Sequence, residues 1–147
     1  MEYSFYHHEA STIESTLPQL LEKSIKKNWR ALVKTQIDYL PELDDFLWSF
    51  KTDSFLPHGR DDQPKMEHHP IVISSSAKTA DNFQIVFLLK GSYVDNLNDV
   101  ERCVIFIDGR SEESIRNERN RWQKLKGKGA KLNYYQQNAN GEWIKKD

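Results

Sequence analysis

Four short apolar runs constrain this chain more than anything else in it: Arg30 to Lys34 (RALVK), Pro70 to Ser74 (PIVIS), Phe83 to Leu88 (FQIVFL) and Cys103 to Ile107 (CVIFI). Each is too short for an ordinary helix and rich in strand-forming residues, and a strand that is apolar throughout needs cover on both faces. Segments of helical period stand between them. Ser11 or Thr12 can cap a helix carrying Ile13, Leu17, Leu20, Leu21 and Ile25, with Pro18 within or just before its regular part. Tyr39 to Phe50 places Leu43, Phe46, Leu47 and Phe50 on one face and Asp44 and Asp45 on the other. Ser111 to Lys126 reads as a further helix, with half a capping box at Ser111 and Ser114 and an end at Gly127 and Gly129. Glu2 to His8 alternates as a first strand, while Lys131 to Gln136 and Glu142 to Lys145 flank a hairpin turn at Asn138 to Gly141. Arg60 to His69 and Gly91 to Asp99 read as surface connections. The pattern predicts a three-layer α/β sandwich over residues 1–147, one domain, around a mainly parallel sheet with a C-terminal β-hairpin.

Composition supports a folded, aqueous protein. Charged residues are 29% and aromatic residues 12% of the 147, enough for a core and far from a disordered composition. The single cysteine, Cys103, permits no internal disulfide, and no apolar run approaches membrane-spanning length, so a cytoplasmic protein without membrane contact is expected. The net charge of -1 conceals an asymmetry. Arg110 to Lys131 holds eight basic residues against Glu112, Glu113 and Glu118, which makes +5 and leaves -6 for the remainder.

Motifs that would carry chemistry are missing. A nucleotide-binding α/β domain places glycines after its first strand so that phosphate can reach the backbone, whereas this chain has His7-His8-Glu9-Ala10-Ser11-Thr12. The topology is therefore mononucleotide-binding-like without a phosphate loop, and no cofactor is expected. His7, His8, His68 and His69 lack the spacing of a metal site, adjacent strand histidines point to opposite faces, and solvated imidazoles are the expectation. Ser74-Ser75-Ser76 lacks the glycines of a nucleophile elbow, and Cys103 should be a buried, inert thiol.

Two surfaces invite partners instead. In Leu43 to Gly59, Pro57 biases Leu56 toward an extended conformation and sets Phe55, Leu56 and His58 on a rigid, irregular corner near Trp48. On the last helix Ile115, Arg119, Trp122 and Lys126 form one stripe, flanked by Arg116 and Gln123, with Arg121 and Lys124 facing away. Arg119 beside Trp122 supplies a guanidinium fork and a flat wall, which suits a carboxylate attached to an apolar residue or, through phosphate contact and stacking, single-stranded nucleic acid.

These residues occur in an order that resembles the chi subunit of bacterial DNA polymerase III over nearly the whole chain. The series runs through Phe5-Tyr6, Leu43-Asp44 with Leu47-Trp48, Ser54-Phe55-Leu56-Pro57-His58-Gly59, Pro70-Ile71, Glu101-Arg102, Phe106-Ile107-Asp108-Gly109, Arg119 with Trp122, and Tyr134-Tyr135-Gln136-Gln137 before Gly141-Glu142-Trp143. The resemblance implies a non-enzymatic adaptor of DNA replication. It links the clamp-loader complex to single-stranded DNA-binding protein by holding that protein's acidic, phenylalanine-ended C-terminal tail, and touches nucleic acid mainly indirectly. Arg119 matches the family's tail-binding arginine and Trp122 its aromatic position. Arg116 and Ile107 are expected neighbours, and Gln123 stands where some members carry lysine. Trp48, Phe55, Leu56, Pro57 and His58 are implied as the face for the psi subunit or another clamp-loader component, in a monomer or heterodimer. The competing readings are a direct single-stranded nucleic-acid-binding protein and a metal-dependent hydrolase or nuclease using His58.

Overall fold

The apolar runs form the middle of one eight-stranded sheet. A computed structural model describes residues 1–49, 58–61 and 69–146, with the chain order β1 (Glu2–His8), α1 (Ile13–Lys26), β2 (Ala31–Lys34), α2 (Leu40–Ser49), β3 (His58–Arg60), β4 (Ile71–Ser74), β5 (Ile85–Leu88), β6 (Arg102–Asp108), α3 (Glu112–Gly127), β7 (Lys131–Gln137) and β8 (Trp143–Lys146). In space the strands follow β3-β4-β2-β5-β6-β1-β7-β8. Every neighbouring pair is parallel except β7 with β8. The predicted α/β sandwich with a terminal hairpin is thus the observed fold.

Topology explains which face each connection covers. A crossover between parallel strands is right-handed, so crossovers that advance toward opposite edges of a sheet lie on opposite faces. The links β1 to β2 and β2 to β3 advance one way; β4 to β5, β5 to β6 and β6 to β7 advance the other. On the first face α1 and α2 bury Leu17, Leu21, Leu43 and Leu47 against Val33, Ile71, Ile73, Phe87 and Phe106. On the second, Ile115, Trp122 and Leu125 of α3 pack toward Phe5, Cys103, Ile105 and Ile107. The links from β4 to β5 and from β5 to β6 contain no helix, yet Ala80, Phe83, Val94 and Val100 from them join this second core. They cover with loops what α1 and α2 cover with helices. Within strands the two cores alternate residue by residue, as Val104 and Phe106 against Cys103, Ile105 and Ile107 show.

One strand corrects the sequence reading. His58 to Arg60, expected to be irregular, pairs in parallel with Ile71 to Ile73 at the edge of the sheet. Three residues that include Gly59 have no strand propensity of their own; the backbone groups offered by β4 create it. The hairpin turn matches expectation. Asn138 Oδ1 accepts from the backbone of Asn140 at 2.9 Å and of Glu142 at 3.0 Å, and Gly141 takes φ +81°, where a side chain would be strained.

Candidate peptide-binding site on the C-terminal helix

Helix α3 begins as its sequence suggested: Ser111 Oγ accepts from the Ser114 backbone at 3.1 Å. Its inner face carries Ile115, Trp122 and Leu125, leaving Arg116, Arg119 and Gln123 exposed. Trp122 is fixed edge-on between Phe5, with ring centroids 5.2 Å apart, and Tyr134, at 5.5 Å. Phe5 and Tyr134 are themselves register partners across β1 and β7. The indole is therefore a rigid wall. Toward the start of the same helix Glu112, Ile115, Arg116, Arg119 and Asn120 line an open groove of about 390 Å³, and Trp122 lies one turn beyond Arg119, outside that lining. Among the described residues neither Arg116 nor Arg119 makes an ion pair or a hydrogen bond, so both guanidinium groups remain available to an anion.

Two residues that sequence reasoning did not select support this site. His7 Nδ1 lies 2.6 Å from the Tyr134 hydroxyl, and its Nε2 has no hydrogen-bond partner among the described residues, with Glu9 at 3.6 Å. Burial holds the His7 pKa below the ordinary imidazole value; Glu9 opposes this and the nearby Arg119 reinforces it. Burial raises the Tyr134 pKa while Arg119 pulls it down. Arg119 thus exerts its field over the β1–β7 corner as well as over the groove. The alternation of β7, which puts Leu132 and Tyr134 on the α3 side, was the sequence signal available for Tyr134.

Ile107 is not a groove wall. It is 1% exposed, pairs in register with His7 and lies in the core beneath α3, so it supports the site without being reachable by a ligand. The histidines also differ from expectation, since His7 and His8 are buried rather than solvated. They do point to opposite faces. His8 Nε2 lies 2.9 Å from Thr16 Oγ1, its ring packs on Phe106 and Trp143, and burial lowers its pKa to about 4. No group of three or more His, Cys, Asp or Glu residues among those described could hold a metal ion.

The turn after β1, where a phosphate would enter a nucleotide-binding relative, is occupied from within. The backbone N–H groups of Glu9, Ala10 and Ser11 all donate to Gln137 Oε1, at 3.1, 3.0 and 3.0 Å. Such a nest of N–H groups attracts an anion, and here a side-chain carbonyl fills it. The same corner is tight: a Cβ on Gly109 would stand 2.3 Å from the His8 carbonyl oxygen.

At the other end of the sheet Trp48 is 53% exposed on α2. His58 is 1% exposed, packs at a tilt against Trp48 with ring centroids 4.2 Å apart and lies 3.1 Å from Asp44 Oδ1. Arg60 Nε donates to Asp44 Oδ2 at 2.9 Å, so the part-buried Asp44 is held between His58 and Arg60. His58 therefore supports Trp48 and presents no side chain of its own to a partner. Phe50, Phe55, Leu56 and Pro57 lie outside the described residues.

The sequence profile described as "DNA polymerase III chi subunit, HolC" matches residues 1–133. The chain belongs to this chi-subunit family. A curated relative, the probable DNA polymerase III subunit chi of Rickettsia prowazekii (strain Madrid E), is 22% identical over 152 residues, covering 98% of this chain and 91% of the relative. Membership in the chi family makes the protein a component of DNA polymerase III and places it in DNA replication. No helix among the described residues is long and apolar enough to cross a membrane.

Proposed function

We propose that this chi-family protein is a non-enzymatic adaptor that ties the polymerase III clamp loader to single-stranded DNA-binding protein by gripping that protein's acidic C-terminal tail on α3. The observation that carries the proposal is Arg119, a guanidinium with no partner among the described residues, standing at a groove beside an indole clamped by two rings. The arginine takes a carboxylate, Arg116 adds a second positive charge, and Ile115 in the groove, with the partly buried Trp122 one turn beyond Arg119, offers the apolar surface for the terminal side chain. Gln123 contributes polarity without charge.

Trp48 is the anchor we assign to the psi subunit or another clamp-loader component, and Phe55, Leu56 and Pro57 are assigned with it on sequence alone. The tail site is tested by titrating a fluorescent acidic peptide ending in phenylalanine. Arg119→Ala should weaken binding by about 2 kcal/mol, the scale of a charge-assisted hydrogen bond. Unchanged affinity would remove the site. Trp48→Ala should leave that titration untouched while releasing clamp-loader components in a pull-down.

A further inference from the structure

Helix α3 has two exposed flanks, and the tail site occupies only one of them. Successive residues of a helix are separated by about 100°, which sets Arg119 and Arg121 nearly opposite one another around the axis. Arg121, Lys124, Leu125 and Lys128 form the i, i+3, i+4, i+7 stripe of the second flank, and they face the helix-free link between β5 and β6. A helix in that link would have packed against α3 and filled the space. The link is a loop instead, and a groove of about 350 Å³ remains.

The composition of this groove is specific. Its floor is mainly aliphatic: Leu88, Val94 and Ile105 come from the buried core, Leu97 and Leu125 close its sides, and Tyr3 of β1 is the one aromatic residue among them. Tyr93, 67% exposed, stands at the mouth. All the charged lining residues are cationic, namely Arg121, Lys124 and Lys128. Arg121 is held by Glu118 at 3.2 Å, whereas Lys124 and Lys128 are exposed and make no ion pair among the described residues. A concave aliphatic floor accepts a bulky apolar side chain better than it accepts a flat base, and a rim of cations without an anion selects a negatively charged surrounding.

We infer that this flank is a second peptide-docking groove, which takes an internal acidic segment of a protein partner bearing one or two large apolar side chains. It differs from the tail site in residues and in ligand, because nothing at this groove selects a free terminal carboxylate. The inference stands whether or not the tail reading survives.

The probe is a fluorescein-labelled six-residue peptide with both ends blocked, in which a Leu-Phe pair is flanked by two acidic residues on each side. Fluorescence anisotropy should show saturable binding to the full chain. The double variant Lys124→Glu, Lys128→Glu, which alters only exposed side chains, should weaken it at least tenfold, and Tyr93→Ala should weaken it several-fold. Arg119→Ala should leave it within twofold. The proposal is overturned if binding does not saturate, if the charge-reversed protein binds equally well, or if Arg119→Ala abolishes binding. It is equally overturned if an oligothymidylate occupies the groove, with its binding lost in the lysine variant, while the peptide does not bind.

Discussion

Glu118 allows the strongest quantitative test of the electrostatics of α3. Its carboxylate is 2% exposed, faces Arg121 Nη2 at 3.2 Å, and neither oxygen accepts a geometrically sound hydrogen bond from the described residues. Two unit charges at that distance attract by about 5 kcal/mol at an effective dielectric constant near 20. Arg121 keeps 20% of its side-chain exposure, so desolvation and screening leave a net effect of about 2 to 3 kcal/mol on losing one partner. Arg121→Ala strands the carboxylate and should lower Tm by roughly 5 to 10 °C in a chain of this size. Glu118→Met instead removes the buried charge and releases Arg121 to water, which should be neutral or stabilising by about 1 kcal/mol. The pH dependence separates this account from lost packing. Burial raises the Glu118 pKa above its ordinary value of 4.5, with Arg121 opposing, so the folded protein takes up this proton more readily than the unfolded chain. The group therefore favours the fold below pH 4.5, and this contribution fades as pH rises through the folded pKa. Hence the deficit of Arg121→Ala should be full at pH 7 and shrink toward pH 4, measured by urea denaturation against wild type at each pH. A deficit constant across that range, or a Glu118→Met protein as unstable as Arg121→Ala, would refute the reasoning.

Three further outcomes follow from buried groups. Gln137→Ala leaves three converging N–H groups without their common acceptor and should cost about 2 to 3 kcal/mol. Sulfate should restore part of that stability and help wild type less, as thermal melts in a sulfate series would show. His8, whose pKa falls from 6.5 to about 4, is neutral in both states above pH 6.5, and the unfolded chain alone takes the proton below it. Stability should drop by about 3 kcal/mol between pH 6.5 and 4 on this account, and His8→Phe should flatten that part of the profile. Trp122→Ala should destabilise by about 2 to 4 kcal/mol, because a half-buried indole with two edge-on ring contacts is lost. Trp122→Phe should recover most of the stability.

Legibility in the sequence tracked how local each cause was. β4 and β5 were readable because a strand buried on both faces is apolar at nearly every position, Ser74 at the end of β4 being the exception. The start of α3 was readable because its cap is a bond between Ser111 and a residue three places on. The sequence stripe likewise separated Arg119 from Arg121 and Lys124, since helical period alone rotates them apart. β3 escaped, as did the burial of His58, because both depend on pairing with β4 and on Asp44, far away along the chain. The depth of Ile107 is hidden for a related reason: proximity to the site can be inferred from the sequence, but burial beneath the helix cannot.

The sequence by itself determined the alternation of layers, the basic character of α3 and its matched arginine and tryptophan, since period, composition and order are properties of a linear string. Only the tertiary structure decided that Phe5 and Tyr134 clamp Trp122, that Gln137 fills the turn after β1, and that a helix-free link leaves the second flank of α3 open. Each of these depends on parallel crossovers bringing chain-distant strands side by side. No local pattern records which strand will be the neighbour.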